Sequence, residues 1–199
     1  MTFYKCFKAV LRFIFLPLFR VKIIGKEKFP NEGACIYYAN HLSNWDPVFM
    51  HLAIDRKPRF MAKKELFKNP ILRGIVKYFG AFSVDRGKGD LGAFQNAFKV
   101  IEEGEVVGIY PEGKRAKDGI MKNFHTGVSI IAARTGAIAC PLYISGKFKP
   151  FKKTYMIFGE PVDLKDKFGE IKLSDHETVK ATAEHLRQQL VKLKDEMKL

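Results

Sequence analysis

The stretch Ala34-Cys35-Ile36-Tyr37-Tyr38-Ala39-Asn40-His41-Leu42-Ser43-Asn44-Trp45-Asp46-Pro47 decides the fold. Its first six residues are continuously apolar, which fits a strand buried on both faces. A polar turn holding a histidine and a carboxylate follows. Pro47 then opens a helical pattern that runs to Ile54. Strand, polar turn and helix is the unit of an α/β sheet, and such sheets place their sites at strand carboxyl ends.

The same alternation runs outward in both directions. Further strands are predicted over 20–24, 58–62, 81–84, 106–110, 138–145 and 154–158. Helical patterns are predicted over 63–79, 91–102 and 128–134. The last helix is announced by Ser174-Asp175-His176-Glu177, a capping box, with Val179, Ala183, Leu186, Leu190, Leu193 and Met197 following at helical spacing. The expected class is α/β, a largely parallel mixed sheet flanked by helices. No repeat, low-complexity tract or linker divides the globular part.

Composition agrees with a folded domain. The chain has 199 residues, 47% hydrophobic and 28% charged. That excludes a disordered or collagen-like chain. A chain of this length removes roughly 70% of its unfolded surface from water. Cys6, Cys35 and Cys140 are too few and too scattered for a disulfide framework or a zinc site, which suits a reducing compartment.

Charge is the outlier, at +14. Residues 1–28 carry seven Lys/Arg against one Glu, and residues 56–77 carry eight against one. An excess of this size implies an anionic partner: nucleic acid, a membrane surface or a phosphorylated ligand. Here the cations sit among long aliphatic and aromatic runs, which suits a bilayer and argues against nucleic acid.

Residues 3–19 are aromatic-rich, and their longest uncharged run is Phe13 to Phe19. A spanning helix needs about 20 apolar residues, so none is expected here. Arg12 interrupts the apolar region and no cleavage site follows, so a signal peptide is not expected either. On a helical wheel Lys5, Lys8 and Arg12 share one side, and Phe3, Phe7, Val10, Ile14 and Leu18 the other. This is the pattern of a helix lying in the bilayer interface, and those five residues are the expected membrane contacts. The alternative is a helix packing its apolar stripe on the protein's own core. Residues 63–79 repeat the theme, broken by Asn69-Pro70 into two short helices.

Three segments can carry chemistry. A carboxylate can hold a histidine's tautomer while the imidazole takes a proton from an alcohol. His41 and Asp46 would point about 140° apart on one continuous helix, so a turn at Ser43-Asn44 is required. Alternatively, Asp46 before Pro47 is only an N-cap. In Tyr110-Pro111-Glu112-Gly113-Lys114-Arg115, glycine permits an unusual backbone angle and the cations can hold a phosphate; a solvated basic turn is the alternative. In Gly80–Gly87, Arg86 can serve the same phosphate, or form a surface pair with Asp85. Pro141, in an apolar strand, calls for a sheet edge or a bulge.

In order and spacing these segments resemble the four sequence blocks of the glycerophospholipid acyltransferases, most closely the bacterial lysophosphatidic acid acyltransferases. Asn40–Asp46 resembles the first block, Gly80–Arg86 the second, Tyr110–Arg115 the third and Pro141 the fourth, and the likeness covers residues 20–160. The resemblance implies acyl transfer from an acyl thioester, on acyl carrier protein or coenzyme A, to a lysophospholipid hydroxyl at a membrane surface. It implies His41 as general base and Asp46 as its orienting partner. Arg86, Glu112, Gly113 and Arg115 would bind the acceptor phosphate. No metal or cofactor is implied. The chain departs from the family pattern at Lys114, Ala116 and His125, and Lys114 and His125 would bear on acceptor choice. By this reading residues 1–19 are a membrane-association segment and 20–199 the acyltransferase domain, placed at the cytoplasmic face of the membrane.

Overall fold

The computed structural model describes residues 3–84, 91–116, 121 and 124–197, with the backbone alone for residues 3–5. Seven strands form one sheet: β1 (Val21–Ile24), β2 (Cys35–Ala39), β3 (Pro58–Lys63), β4 (Phe82–Val84), β5 (Val106–Ile109), β6 (Ile138–Ile144) and β7 (Thr154–Phe158). Their order is β1-β7-β6-β2-β5-β3-β4. Every pairing is parallel except β6 with β7. The helices are α1 (Phe3–Leu18), α2 (Asp46–Ala53), α3 (Pro70–Tyr78), α4 (Leu91–Glu102), α5 (Gly127–Thr135), α6 (Leu164–Phe168) and α7 (His176–Glu196). The α/β expectation therefore holds. Periodicity announces neither α6 nor the 3-10 turn Lys26–Lys28, both being too short to show it.

β2 is the middle strand and all five of its residues are buried. Alternate side chains feed two cores. Cys35, Tyr37 and Ala39 face Phe49, Leu52 and the inner side of α1. Ile36 and Tyr38 face residues of α4, α5 and α7. The sheet is thus covered on both faces, as parallel sheets require.

Pro141 lies in β6, an interior strand, rather than at an edge. The proline's absent N–H falls at a break in pairing with β7. The β7 ladder ends at Leu142↔Phe158, and beyond it Ala139 pairs with Val162 as an isolated bridge. Gly159 donates its N–H to the Pro141 carbonyl at 3.0 Å, so only the donor is forgone.

Two local expectations change. The α7 cap is Asp175, not Ser174. Its carboxylate accepts the Thr178 N–H (3.1 Å) and the Thr178 hydroxyl (2.7 Å), while Glu177 turns to Lys180. Asp is as strong a cap as Ser, and Thr178 adds a second donor. At α3 the predicted break holds: the Asn69 side chain accepts the N–H groups of Ile71 and Leu72, and Pro70 opens the helix.

α1 packs with its basic side inward. Lys8 is 8% exposed and donates to the Ile54 and Arg56 carbonyls at the end of α2. Burial lowers its pKa to about 8, against the pull of nearby Asp55. Arg12 reaches Asp55 at 3.0 Å. Leu11, Phe15, Leu16 and Leu18 pack on the first core. Leu18 is therefore a core contact, unlike its expected placement. Phe7, Val10, Phe13 and Ile14 are exposed, Phe13 by 82%. Among the described residues no helix is long and apolar enough to cross a membrane.

Candidate active site

β2 and β5 are parallel neighbours, and the polar segments after them meet at their carboxyl ends. The chain leaves β2 at Asn40, which is buried. Its amide donates to the Ile144 carbonyl (2.9 Å) and accepts the Ile144 N–H (2.8 Å). That clamp ties the start of the loop to β6. Backbone then turns at Asn44-Trp45 and α2 begins at Asp46. The turn required between His41 and Asp46 is present.

Asp46 is not the N-cap of α2; Trp45 holds that place. The wholly buried carboxylate points back into the loop instead. Oδ2 meets His41 Nδ1 at 2.7 Å and accepts the N–H groups of Leu42 (2.6 Å) and Ser43 (2.8 Å). Oδ1 accepts the Ser43 hydroxyl at 2.7 Å. A carboxylate accepts only, so Nδ1 carries the imidazole proton and Nε2 keeps its lone pair. The His41 side chain retains 11% exposure. One ring nitrogen is anchored and the other can serve as a base.

Tyr110 completes the mount. Its ring stacks on the His41 imidazole with centroids 4.2 Å apart and planes 21° apart. Its hydroxyl lies 2.6 Å from Met50 Sδ, and the Phe60 ring stacks on its ring with centroids 5.8 Å apart. Burial raises the phenol well above the usual tyrosine pKa, so a neutral ring faces the imidazole. Beyond the turn expected at Ser43, neither spacing nor polarity in the sequence marks the contacts that Ser43 and Tyr110 make.

The third block folds around His41 from the other side. Glu112 is buried and its Oε1 accepts the His41 N–H at 2.9 Å. Through this bond Glu112, expected at the acceptor phosphate, holds the His41 backbone. The Ala116 N–H donates to the His41 carbonyl at 2.8 Å. Between them Gly113 turns with φ +66°, the left-handed region its sequence position anticipated. A Cβ there would come within 3.1 Å of the His125 ring, so His125 does lie over the loop, and its N–H donates to the Pro111 carbonyl. Lys114 and Arg115 are exposed beside this turn. Arg86 lies outside the described residues.

A family model described as Acyltransferase matches residues 20–145. The chain belongs to this acyltransferase family. The 1-acyl-sn-glycerol-3-phosphate acyltransferase of Bacillus subtilis is 31% identical over 185 residues, which is 89% of either chain. The chloroplast 1-acyl-sn-glycerol-3-phosphate acyltransferase of Brassica napus is 27% identical over 136 residues, 67% of this chain. The chain spans only 39% and 38% of the length of the chloroplast relatives from Brassica napus and Arabidopsis thaliana. In fold it is similar to the crystal structure of PlsC, the 1-acyl-sn-glycerophosphate acyltransferase of Thermotoga maritima. The TM-score is 0.68 at 23% identity, over 98% of this chain and 84% of that one. The acyltransferase match takes in His41, Asp46, Glu112 and Arg115, and ends at Ser145, where β6 gives way to a loop.

Proposed function

We propose that this acyltransferase moves a fatty acyl group from an acyl thioester to the free hydroxyl of lysophosphatidic acid, giving phosphatidic acid. The observation that carries the reading is the 2.7 Å bond from His41 Nδ1 to the buried Asp46 carboxylate. His41 Nε2 takes the hydroxyl proton as the acceptor oxygen attacks the thioester carbonyl. The new C–O ester bond forms, the C–S bond breaks, and the thiol leaves with the proton from His41. Asp46 stabilises the transient imidazolium. No side chain is acylated. A positioned base supplies about 10²- to 10⁴-fold, and orientation of both substrates contributes much of the rest. The names of the relatives support the choice of acceptor.

Arg115 and Arg86, with the Gly113 turn, hold the acceptor phosphate. Lys114 and His125 bias the choice of acceptor, and Glu112 positions His41. The donor is acyl carrier protein or coenzyme A thioester, and the reaction needs no cofactor or metal. Residues 1–19 hold the domain of residues 20–199 against the cytoplasmic face of the membrane. The exposed Phe7, Val10, Phe13 and Ile14 support this; Phe3, the fifth expected contact, lies outside the described side chains. The substrate's acyl chain stays in the bilayer, so the site must work at its surface.

The test is an assay with radiolabelled acyl-coenzyme A or acyl carrier protein thioester. Acceptors are lysophosphatidic acid in phosphatidylglycerol vesicles and glycerol 3-phosphate. Label is expected in phosphatidic acid with at least one donor. Label passing only to glycerol 3-phosphate would move the acceptor, and none with any pair would sink the reading.

A further inference from the structure

Large apolar side chains are unevenly exposed. Phe7, Val10, Phe13 and Ile14 lie on α1, and Ile71, Leu72, Ile75 and Tyr78 on α3. Of the nine residues in α3 none is buried, and Ile71 is 74% exposed. A short helix with its aliphatic residues in water is not explained by the protein's own core. At 100° per residue, Ile71, Leu72, Ile75 and Tyr78 share one arc, with Arg73 and Lys77 on the other. The two helices touch: the Phe7 and Tyr78 rings meet edge-on at 6.0 Å.

The cations divide differently. Lys8 and Arg12 of α1 are turned onto Ile54, Arg56 and Asp55. Lys68, Arg73 and Lys77 are exposed. Two of the three cations of the α1 pattern, Lys8 and Arg12, are thus spent on the protein, whereas those of 68–77 face out beside apolar residues.

We propose that α3 and the residues leading into it are a second bilayer contact, continuous with the apolar face of α1 through Phe7 and Tyr78. In this arrangement Lys68, Arg73 and Lys77 confer the preference for anionic lipid. The inference rests on the membrane reading of α1 given above. Apolar side chains between cations fit an anionic bilayer, which offers headgroup charge and hydrocarbon together. An acidic carrier protein would use the cations but leave Ile71, Leu72 and Ile75 without a matching surface.

The experiment is co-sedimentation of the full chain with vesicles of phosphatidylglycerol and phosphatidylcholine, or phosphatidylcholine alone. The variants are Lys68→Glu/Arg73→Glu/Lys77→Glu, Ile71→Ser/Ile75→Ser and Phe13→Glu/Ile14→Glu. A control reverses Lys165, Lys167 and Lys172, on and beside α6 in the opposite layer. Each cation near an anionic surface is worth about fivefold in partitioning, so losing three costs about a hundredfold and the α3 charge reversal should cost at least that on anionic vesicles. On phosphatidylcholine its effect should be small. Ile71→Ser/Ile75→Ser should weaken binding to both vesicles, and the α6 control should bind anionic vesicles at least tenfold better than the α3 reversal. The proposal is overturned if both α3 variants bind like wild type while Phe13→Glu/Ile14→Glu does not; α1 would then be the whole contact. It is also overturned if the α3 variants keep vesicle binding and lose activity only with the carrier-protein donor. Failure of wild type to bind either vesicle would remove the α1 reading as well.

Discussion

Asp46 accepts four hydrogen bonds, from the His41 ring, two backbone N–H groups and the Ser43 hydroxyl. Asp46→Asn keeps the shape but puts an amide where a fourfold acceptor is needed. It is expected to lower kcat by about 10²- to 10⁴-fold with KM for the acceptor little changed. A loss confined to KM would mean that Asp46 does not act through His41. His51 provides a separate check by pH. It is buried between the Phe60 and Phe79 rings, and burial, then Lys8 and Lys57, lowers its pKa to about 3 from 6.5. Between those values the unfolded chain takes a proton that the folded chain refuses. His51 thus contributes stability that is full above pH 6.5 and lost as pH falls toward 3, up to about 5 kcal/mol. Denaturant unfolding of His51→Phe should lose this part of the pH slope; a slope equal to wild type would contradict the assignment.

At the scale of elements, β5 shows how packing reaches the site. A Cβ at Gly108 would clash with the edge of the Phe60 ring. Phe60 stacks on Tyr110, which stacks on His41. Gly108→Ala should therefore destabilise the fold by about 1–3 kcal/mol and lower kcat together, measured by thermal melting and turnover. Unchanged turnover at reduced stability would show that the stack does not position the base. Strands and longer helices were legible because their apolar periodicity reflects the two-faced core, as at Cys35–Ala39 and Leu91–Glu102. The block residues were legible by spacing. Glu112's inward bond, the Tyr110 stack and the Asn40 clamp to Ile144 were not, since each depends on which strands become neighbours. The orientation of α1 was hidden for the same reason. A wheel separates basic and apolar sides but does not say which side Asp55 will claim.

At the scale of the whole molecule, ring contacts link α1 to the loop that carries Asp46. The Phe15 and Phe19 rings lie 5.9 and 5.7 Å from Trp45, which immediately precedes Asp46. Trp45 is the only tryptophan and is 42% exposed. Its emission is expected to shift to the blue when the chain binds anionic vesicles, and to respond less in Phe13→Glu/Ile14→Glu. An equal shift in both would separate Trp45 from the α1 contact. Deleting 1–19 is a poorer test, because Leu11, Phe15 and Phe19 belong to the core. The most direct test of the account is turnover by His41→Ala beside wild type, with lysophosphatidic acid in anionic vesicles and vesicle binding measured on the same samples. The account predicts at least a hundredfold loss of phosphatidic acid formation with binding unchanged. A His41→Ala protein that turns over like wild type would contradict it.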